Sequence, residues 1–339
     1  MRTIGIRVAP KIVTFVIYDS DVSKIINVED IKVPLAFTIP DALKYIRNNL
    51  LDILREYKVS SAGIRIAEST AQRINIERVQ NYKKGSLNKL IESRFLTVRE
   101  IVIFGCQIAS GLHNVHSKKL IHFDIKPDNI LLSERGEALI SDFGLSKYTD
   151  IYGKASQDRM YFRMIPPEAL NGEEFTVLFD IYQLGLTLYR MCNGNTIFYE
   201  QFHSYGDVSS FDRDRFRFDV KNGRFPDRDI FLEHIPDKLR KIIKKCLEPN
   251  PTNRYCATIE VANALAEIDG KVLDWQFCIS DSSKVWTKLA EDREYKLVIS
   301  DDGTSLAKKT TGSGRSTRIR DYCKQALTSK EIKKFLGDY

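Results

Sequence analysis

The chain is expected to fold as an α+β protein in three blocks. A small α/β block covers 1–80, a mainly helical block covers 81–268, and a small basic α+β extension covers 269–339. Three observations predict this. β-branched runs at 3–9, 12–18 and 24–33 precede an apolar helical period. Helical periods dominate from 97 to 268. Strand-like runs then return around Asp301-Asp302-Gly303, a hairpin signal.

In the first block, Asp41 is placed to N-cap a helix running to Tyr57, with Leu43, Ile46, Leu50, Leu51 and Leu54 on one face. A strand follows at 62–67. In the second, 97–116 reads as a long amphipathic helix. Two short strands, 130–133 and 138–141, flank a Glu134-Arg135-Gly136 turn, and 142–168 is a long loop. Connections longer than about 15 residues are usually functional or disordered. Helices are expected at 179–192, 239–247 and 259–268. In the third block, strands at 295–300 and 306–310 form the hairpin, and 319–326 and 330–336 read as helices. Trp275 and Trp286 are expected as core anchors.

Composition narrows the function. With 43% hydrophobic residues in 339, the chain can bury a core. No apolar run reaches the ~18 residues of a membrane helix. Met1 to Gly5 runs straight into a strand pattern with no signal-peptide core, and the six cysteines are scattered without a C-x-x-C pair. A reduced, cytoplasmic protein without disulfide or zinc is the expectation. A net charge of +7 is too diffuse to indicate nucleic acid. Arg315, Arg318, Arg320 and Lys324 cluster in the tail, where a solvated helix face packed on the helical block is expected over a phosphate-binding or nucleic-acid surface. His113 and His116 share a helix but lack a third ligand for a metal.

The chemistry concentrates at His122-Phe123-Asp124-Ile125-Lys126-Pro127-Asp128-Asn129, followed thirteen residues later by Asp142-Phe143-Gly144. Asp124 can accept a hydroxyl proton, Lys126 can neutralise a moving phosphoryl group, and Asn129 and Asp142 are oxygen ligands suited to Mg²⁺. The pair of motifs resembles the catalytic loop and the Asp-Phe-Gly motif of the protein kinases.

Further pieces of that resemblance follow in order. Tyr82-Lys83-Lys84-Gly85-Ser86-Leu87 is similar to the segment after the kinase hinge, and Ser141 and Leu145 flank Asp-Phe-Gly in the familiar way. Pro166-Pro167-Glu168 is similar to Ala-Pro-Glu. Asp180-Ile181-Tyr182-Gln183-Leu184-Gly185 resembles the helix whose Asp braces the catalytic loop. Asn250-Pro251-Thr252-Asn253-Arg254 resembles the late segment whose Arg254 would pair with Glu168. The resemblance implies ATP and Mg²⁺ as cofactors, held by Lys126, Asn129 and Asp142, and a protein substrate. Lys126 at this spacing implies a serine/threonine kinase. Two departures stand out. Phe123 replaces the Arg of His-Arg-Asp, so activation by a loop phosphate clamped there is not expected. Tyr161 stands where such kinases often carry Thr.

The kinase upper lobe is not legible. The first block holds only Gly5 and Gly63, so a Gly-rich phosphate loop is absent, and Val8-Ala9-Pro10-Lys11 sits too early to be the strand lysine motif. Gly5-Ile6-Arg7, the hairpin, the helix and 62–68 instead resemble the start of a ribonuclease H-like (resolvase-like) fold, truncated and joined to a kinase. Arg7 stands where that family has an acid, leaving Glu68, and one carboxylate cannot hold two metal ions. Two readings therefore compete. One is a serine/threonine protein kinase. The other is a pseudokinase that binds a partner protein, because each lost electrostatic contact costs on the order of 10² to 10³ in rate. Neither nucleic acid nor a membrane is an expected partner.

Overall fold

The computed structural model describes residues 2–9, 12–32, 39–65, 85–207 and 209–339. Two compact units divide the chain, Met1–Ile74 and Asn75–Tyr339.

Among the described residues, the first unit is a four-stranded sheet with one helix. Strands β1 (Arg2–Ala9), β2 (Ile12–Asp19) and β3 (Lys24–Lys32) form an antiparallel meander. Helix α1 (Ile39–Glu56) leads to β4 (Ser61–Arg65), which pairs parallel to β1, giving the order β3-β2-β1-β4. Strand alternation buries Ile4, Ile6, Val13, Phe15, Ile17 and Ile31 against Ile46, Leu50, Ile53 and Leu54 of α1. The helix begins at Ile39, so Asp41 lies within its first turn and is not the cap expected from sequence. Arg7 is exposed on β1. Glu68 and Tyr82 to Lys84 lie outside the described residues.

In the second unit, Ser86 caps α2 (Leu87–Ser93). Thr97 and Glu100 form a reciprocal capping box for α3 (Val98–Ser117). Strand β5 (Leu120–Ile121), a 3₁₀ turn (Pro127–Asn129) and the hairpin of β6 (Ile130–Leu132) and β7 (Ala138–Ile140) follow. The expected long loop contains two short strands, β8 (Lys147–Tyr148) and β9 (Ala155–Ser156), and β10 (Glu174–Phe175) follows it and pairs with β9. Helix α4 runs Leu178–His203 with a break at Gly194 (φ +78°), where a Cβ would meet the Phe95 ring at 3.1 Å. The sequence placed its end at 192. Helices α5 (Arg213–Lys221), α6 (Asp237–Cys246) and α7 (Thr258–Ala266) complete the helical layer. Ile101, Ile108 and Leu112 of α3 share one core with Ile181, Leu184 and Leu188 of α4, Leu239 and Ile243 of α6, and Val261 and Leu265 of α7. Gly105 allows the close approach, because a Cβ there would lie 2.8 Å from Leu265 and 2.9 Å from Leu188.

The extension is a five-stranded antiparallel meander, β11 (Gln276–Ser280), β12 (Ser283–Ala290), β13 (Arg293–Ile299), β14 (Ser305–Thr311) and β15 (Ser316–Arg318), closed by α8 (Ser329–Asp338). Trp275, Phe277, Trp286, Leu297, Ala307, Phe335 and Leu336 form its core, so both tryptophans are anchors as expected. The extension joins the helical layer through the Arg99–Asp274 ion pair (2.5 Å), a Gln276 Nε2 hydrogen bond to the Phe95 carbonyl and packing of Phe95 on Phe277.

The helix expected at 319–326 does not form; only a 3₁₀ turn, Arg320–Tyr322, is present. Its backbone serves the sheet instead. Ile319 N donates to Ala307 O and Ser305 N donates to Lys324 O. The basic cluster is therefore not a helix face: Arg318 ends β15, and Lys324 pairs with Glu331.

Candidate active site

Helix α3 and β5 deliver the chain into residues 122–129, a loop with little regular structure. Side chains of α4 satisfy its buried donors. Asp180 Oδ2 accepts from His122 N and Oδ1 from Phe123 N, both at 2.8 Å. Gln183 Oε1 accepts from Ile125 N at 2.8 Å, and its Nε2 donates to Phe123 O and Met164 O at 3.3 Å. Asp180, Gln183 and Thr187 lie three and four residues apart on one face of α4, which presents them together to the loop. His116, at the end of α3, adds Nε2 at 2.8 Å from Asp180 Oδ2.

The loop gathers three predicted residues. Lys126 Nζ donates to both carboxylate oxygens of Asp124, at 2.9 and 2.8 Å. Asn129 Nδ2 donates to Asp124 Oδ2 at 2.7 Å and to its carbonyl at 2.8 Å. That orientation leaves the amide oxygen of Asn129 for another partner. Asp128, expected as a turn former, also reaches within 4.0 Å of buried Arg190. Ser141 ties the fourth residue to the group: its N and Oγ both donate to Asn129 O at 2.9 Å. Asp142 follows directly in a left-handed conformation (φ +63°) and accepts from Gly144 N at 3.3 Å. Phe143 packs edge-on against His122, with ring centroids 4.8 Å apart.

His122 is fully buried, and burial pushes its imidazole below the usual range. Asp124 N donates to its Nδ1 at 3.3 Å, which fixes Nδ1 as the unprotonated nitrogen. Phe123 is also fully buried and holds φ +66°. Its ring meets Phe179 at 4.9 Å and Phe175 at 6.0 Å, both edge-on. Phe175 is on β10, so this cluster ties the catalytic loop to the segment that follows Asp-Phe-Gly. The same segment is pinned by β9–β10 pairing and by Gln157 Nε2 on Leu145 O. Tyr161 lies under Lys126, whose Nζ is 4.4 Å from the ring centroid. Glu168 and Arg254 form a two-pronged ion pair (2.8 and 2.7 Å), with Arg254 fully buried and stacked over Tyr182.

The predicted residues from His122 to Gly144, with Asp180, therefore take part in one connected arrangement, while Glu168 and Arg254 form a separate ion pair. Sequence reasoning missed Gln183, Thr187 and His116, which hold the loop or its bracing Asp180. Gln183 could have been found from its helical spacing to Asp180. His116 lies 64 residues from Asp180 and gave no local signal.

The donor chemistry suits Mg²⁺. Asn129 and Asp142 offer an amide and a carboxylate oxygen, and Mg²⁺ is commonly held by one or two protein ligands plus substrate phosphates and water. Among the described residues, no cluster of three or more His, Cys, Asp or Glu could hold a metal by itself. Among the same residues, no helix is long and apolar enough to cross a membrane.

A carboxylate held by a lysine two residues on and an asparagine five residues on, beside Asp-Phe-Gly, is the arrangement that the resemblance to the protein kinases leads one to expect. The family model for the protein kinase domain matches residues 44–265, and the chain belongs to that family. The match opens within α1, upstream of the helical block. Relatives agree. A mitogen-activated protein kinase kinase kinase 1b of Physcomitrium patens is 31% identical over 173 residues, covering 50% of this chain and 21% of that protein. A probable serine/threonine-protein kinase of Clostridium perfringens is 29% identical over 197 residues, 56% of this chain and 27% of the relative. A tyrosine-protein kinase of Drosophila melanogaster is 27% identical over 182 residues, 52% and 31%. The chain spans only about a fifth to a third of the length of these relatives.

Proposed function

We propose that the chain transfers a phosphoryl group from Mg²⁺-bound ATP to a serine or threonine hydroxyl of a protein. One observation carries this reading: Lys126 and Asn129, the partners phosphoryl transfer calls for, both reach the carboxylate of Asp124. Each carboxylate oxygen can accept two hydrogen bonds. Among the described residues Oδ1 receives Lys126 alone, so it retains room for an acceptor hydroxyl. Asp124 would orient that hydroxyl and take its proton. Lys126 would swing from Asp124 toward the transferring group and offset its charge. Asn129 and Asp142 would hold Mg²⁺, which supplies electrostatic neutralisation of the phosphates when bound. The serine/threonine preference rests on Lys126 and on the likeness to relatives such as the Clostridium protein, named a probable serine/threonine-protein kinase. A cytoplasmic location and a protein substrate belong to the same reading.

A second reading is favoured by the first block, where Gly5 and Gly63 are the only glycines and β4 pairs parallel to β1. This block supports a ribonuclease H-like remnant in place of a phosphate-gripping lobe, and the protein would then be a pseudokinase scaffold. Two measurements separate the readings. Under the first, Mg²⁺-ATP raises the melting temperature of wild type and not of Asp142→Asn, and labelled phosphate passes from ATP to a generic protein acceptor. A chain that binds Mg²⁺-ATP and transfers nothing is a pseudokinase. Absence of any shift at millimolar ATP sinks the kinase reading.

A further inference from the structure

The five-stranded extension carries a feature that the catalytic reading leaves unused. Strands β13, β14 and β15 align so that Lys296 stands directly opposite Lys308, and Lys308 directly opposite Arg318. The adjacent register pair, Leu297 and Ala307, is fully buried. Side chains alternate between faces along a strand, so the three cations share the outward face. Lys296 and Arg318 are exposed and Lys308 is half-buried. Among the described residues, no ion pair joins any of the three to a carboxylate, although Lys284, Lys324 and Lys333 nearby all have one. The acid closest to them by register on that face is Glu294, in the next row opposite Leu289 and Thr310.

Directly opposed like charges destabilise a sheet, because cross-strand Cβ atoms lie only about 5 Å apart. Two such pairs in succession are a standing cost to the fold. Solubility does not require it, since alternating signs would serve equally well. The row becomes favourable when an anion lies across it. Strand spacing of about 4.8 Å puts the outer two cations about 10 Å apart, and carboxylates on one side of an extended peptide recur about every 6.6 Å. Beside the row runs a second one, half-buried and apolar, formed by the opposed pair Val298 and Leu306. The outward face has no aromatic residue on which bases could stack: β11 and β12 place Gln276, Cys278, Ser280, Ser283, Val285, Thr287 and Leu289 there, and the other strands the residues already named with Ser316.

We propose that this face docks an acidic segment of a protein partner. The partner's carboxylates would lie on Lys296, Lys308 and Arg318, and its apolar side chains along Val298 and Leu306. The site lies beyond residue 265, outside the matched kinase span, and does not depend on catalysis.

Fluorescence anisotropy with the full chain tests the proposal. The probes are a labelled peptide of alternating Glu and Leu, a labelled oligo-thymidine of equal charge, and vesicles containing phosphatidylserine. The peptide is expected to bind at low salt and to weaken as salt is raised. Lys308→Glu converts two like-charge pairs into opposite-charge pairs. It should weaken the peptide about tenfold or more while raising the melting temperature, an opposition that a misfolded variant cannot mimic. Lys296→Gln and Arg318→Gln should each weaken binding less, and Lys330→Glu on α8 should leave it unchanged. Absence of peptide binding at low salt, or binding indifferent to Lys308→Glu, overturns the proposal. Preferential binding of the oligonucleotide or the vesicles overturns it too.

Discussion

His116 and Asp180 meet at 2.8 Å with both side chains buried, and the same Asp180 oxygen also receives the backbone N–H of His122. One carboxylate thus gathers the end of α3, the start of the catalytic loop and the first turn of α4. Asp180→Ala would leave three buried donors without an acceptor, counting Phe123 N. Breaking such a cluster typically costs about 3–5 kcal/mol. His116→Ala removes one donor and keeps both backbone bonds, so it should cost clearly less. Urea denaturation of the two variants checks the order; equal losses would show that Asp180 does not brace the loop through its backbone.

Phe123 should be worth more to this chain as an aromatic residue than as the arginine its family often carries. Its ring is enclosed by Phe175 and Phe179 with no solvent exposure. Phe123→Ala is expected to cost about 3–5 kcal/mol from lost packing and cavity. Phe123→Arg should cost at least as much, since it buries a charge among rings. Because Phe175 lies on β10, both variants should also free the segment between Asp142 and Glu168. Limited trypsin digestion at Lys147 and Lys154 would report this as faster cleavage, and cleavage at the wild-type rate would disconnect Phe123 from that segment.

Asp124→Asn should lower phosphoryl transfer by about 10² to 10⁴, the usual worth of a positioned general base. Its fold should survive, because Asn129 and Lys126 keep a carbonyl oxygen to bind. Lys126→Ala should lower the rate as well, and it also strips the cation from over Tyr161. The check is phosphate incorporation into a protein acceptor alongside the melting temperature. Undiminished transfer by Asp124→Asn would remove Asp124 from the mechanism.

The legible parts of this chain are those whose chemistry is local. Asp124, Lys126 and Asn129 lie within six residues, and all their mutual contacts are set by one loop. The amphipathic period placed α3 at 97–116, and the structure begins it at Val98 with Thr97 and Glu100 as its cap. The hairpin around Asp301-Asp302-Gly303 also formed as expected, with Gly303 at φ +82°. What failed was set at a distance. Residues 319–326 have helical periodicity, yet the ladder from β14 claims Ile319, and Ser305 claims Lys324. Strands β11 and β12 carry too few alternating signals to stand out, and are fixed by burying Phe277 and Trp286 in the same core. Gly194 gave no warning of the break in α4, because the Phe95 ring that crowds it lies about a hundred residues earlier in the chain.

Acid should loosen the joint between the helical layer and the extension. His234 is fully buried with its ring stacked on Phe277 at 5.6 Å, and neither nitrogen has a partner at hydrogen-bond geometry. Burial pushes its pKa down from 6.5 to about 4; the nearby Leu96 backbone offsets part of this and Arg240 adds to it. The folded value is thus below the unfolded one, so the folded state favours the neutral ring. Above pH 6.5 the ring is neutral in both states and its contribution to stability is fully present. As pH falls below 6.5, the unfolded chain binds a proton that the folded chain refuses, and stability drops until about pH 4. The full loss over that window is roughly 3 kcal/mol. His122, also lowered by burial, acts in the same direction. The paired carboxylates do not blur the window: Arg99 lowers Asp274 and Lys333 lowers Asp237, so both keep their charge to more acidic pH. Urea melts of wild type and His234→Leu at about pH 7 and about pH 5 provide the measurement. The wild type should lose stability between the two, and the variant, which conserves volume and cannot protonate, should lose markedly less. Parallel losses in the two proteins would place the acid sensitivity elsewhere and leave His234 as inert packing.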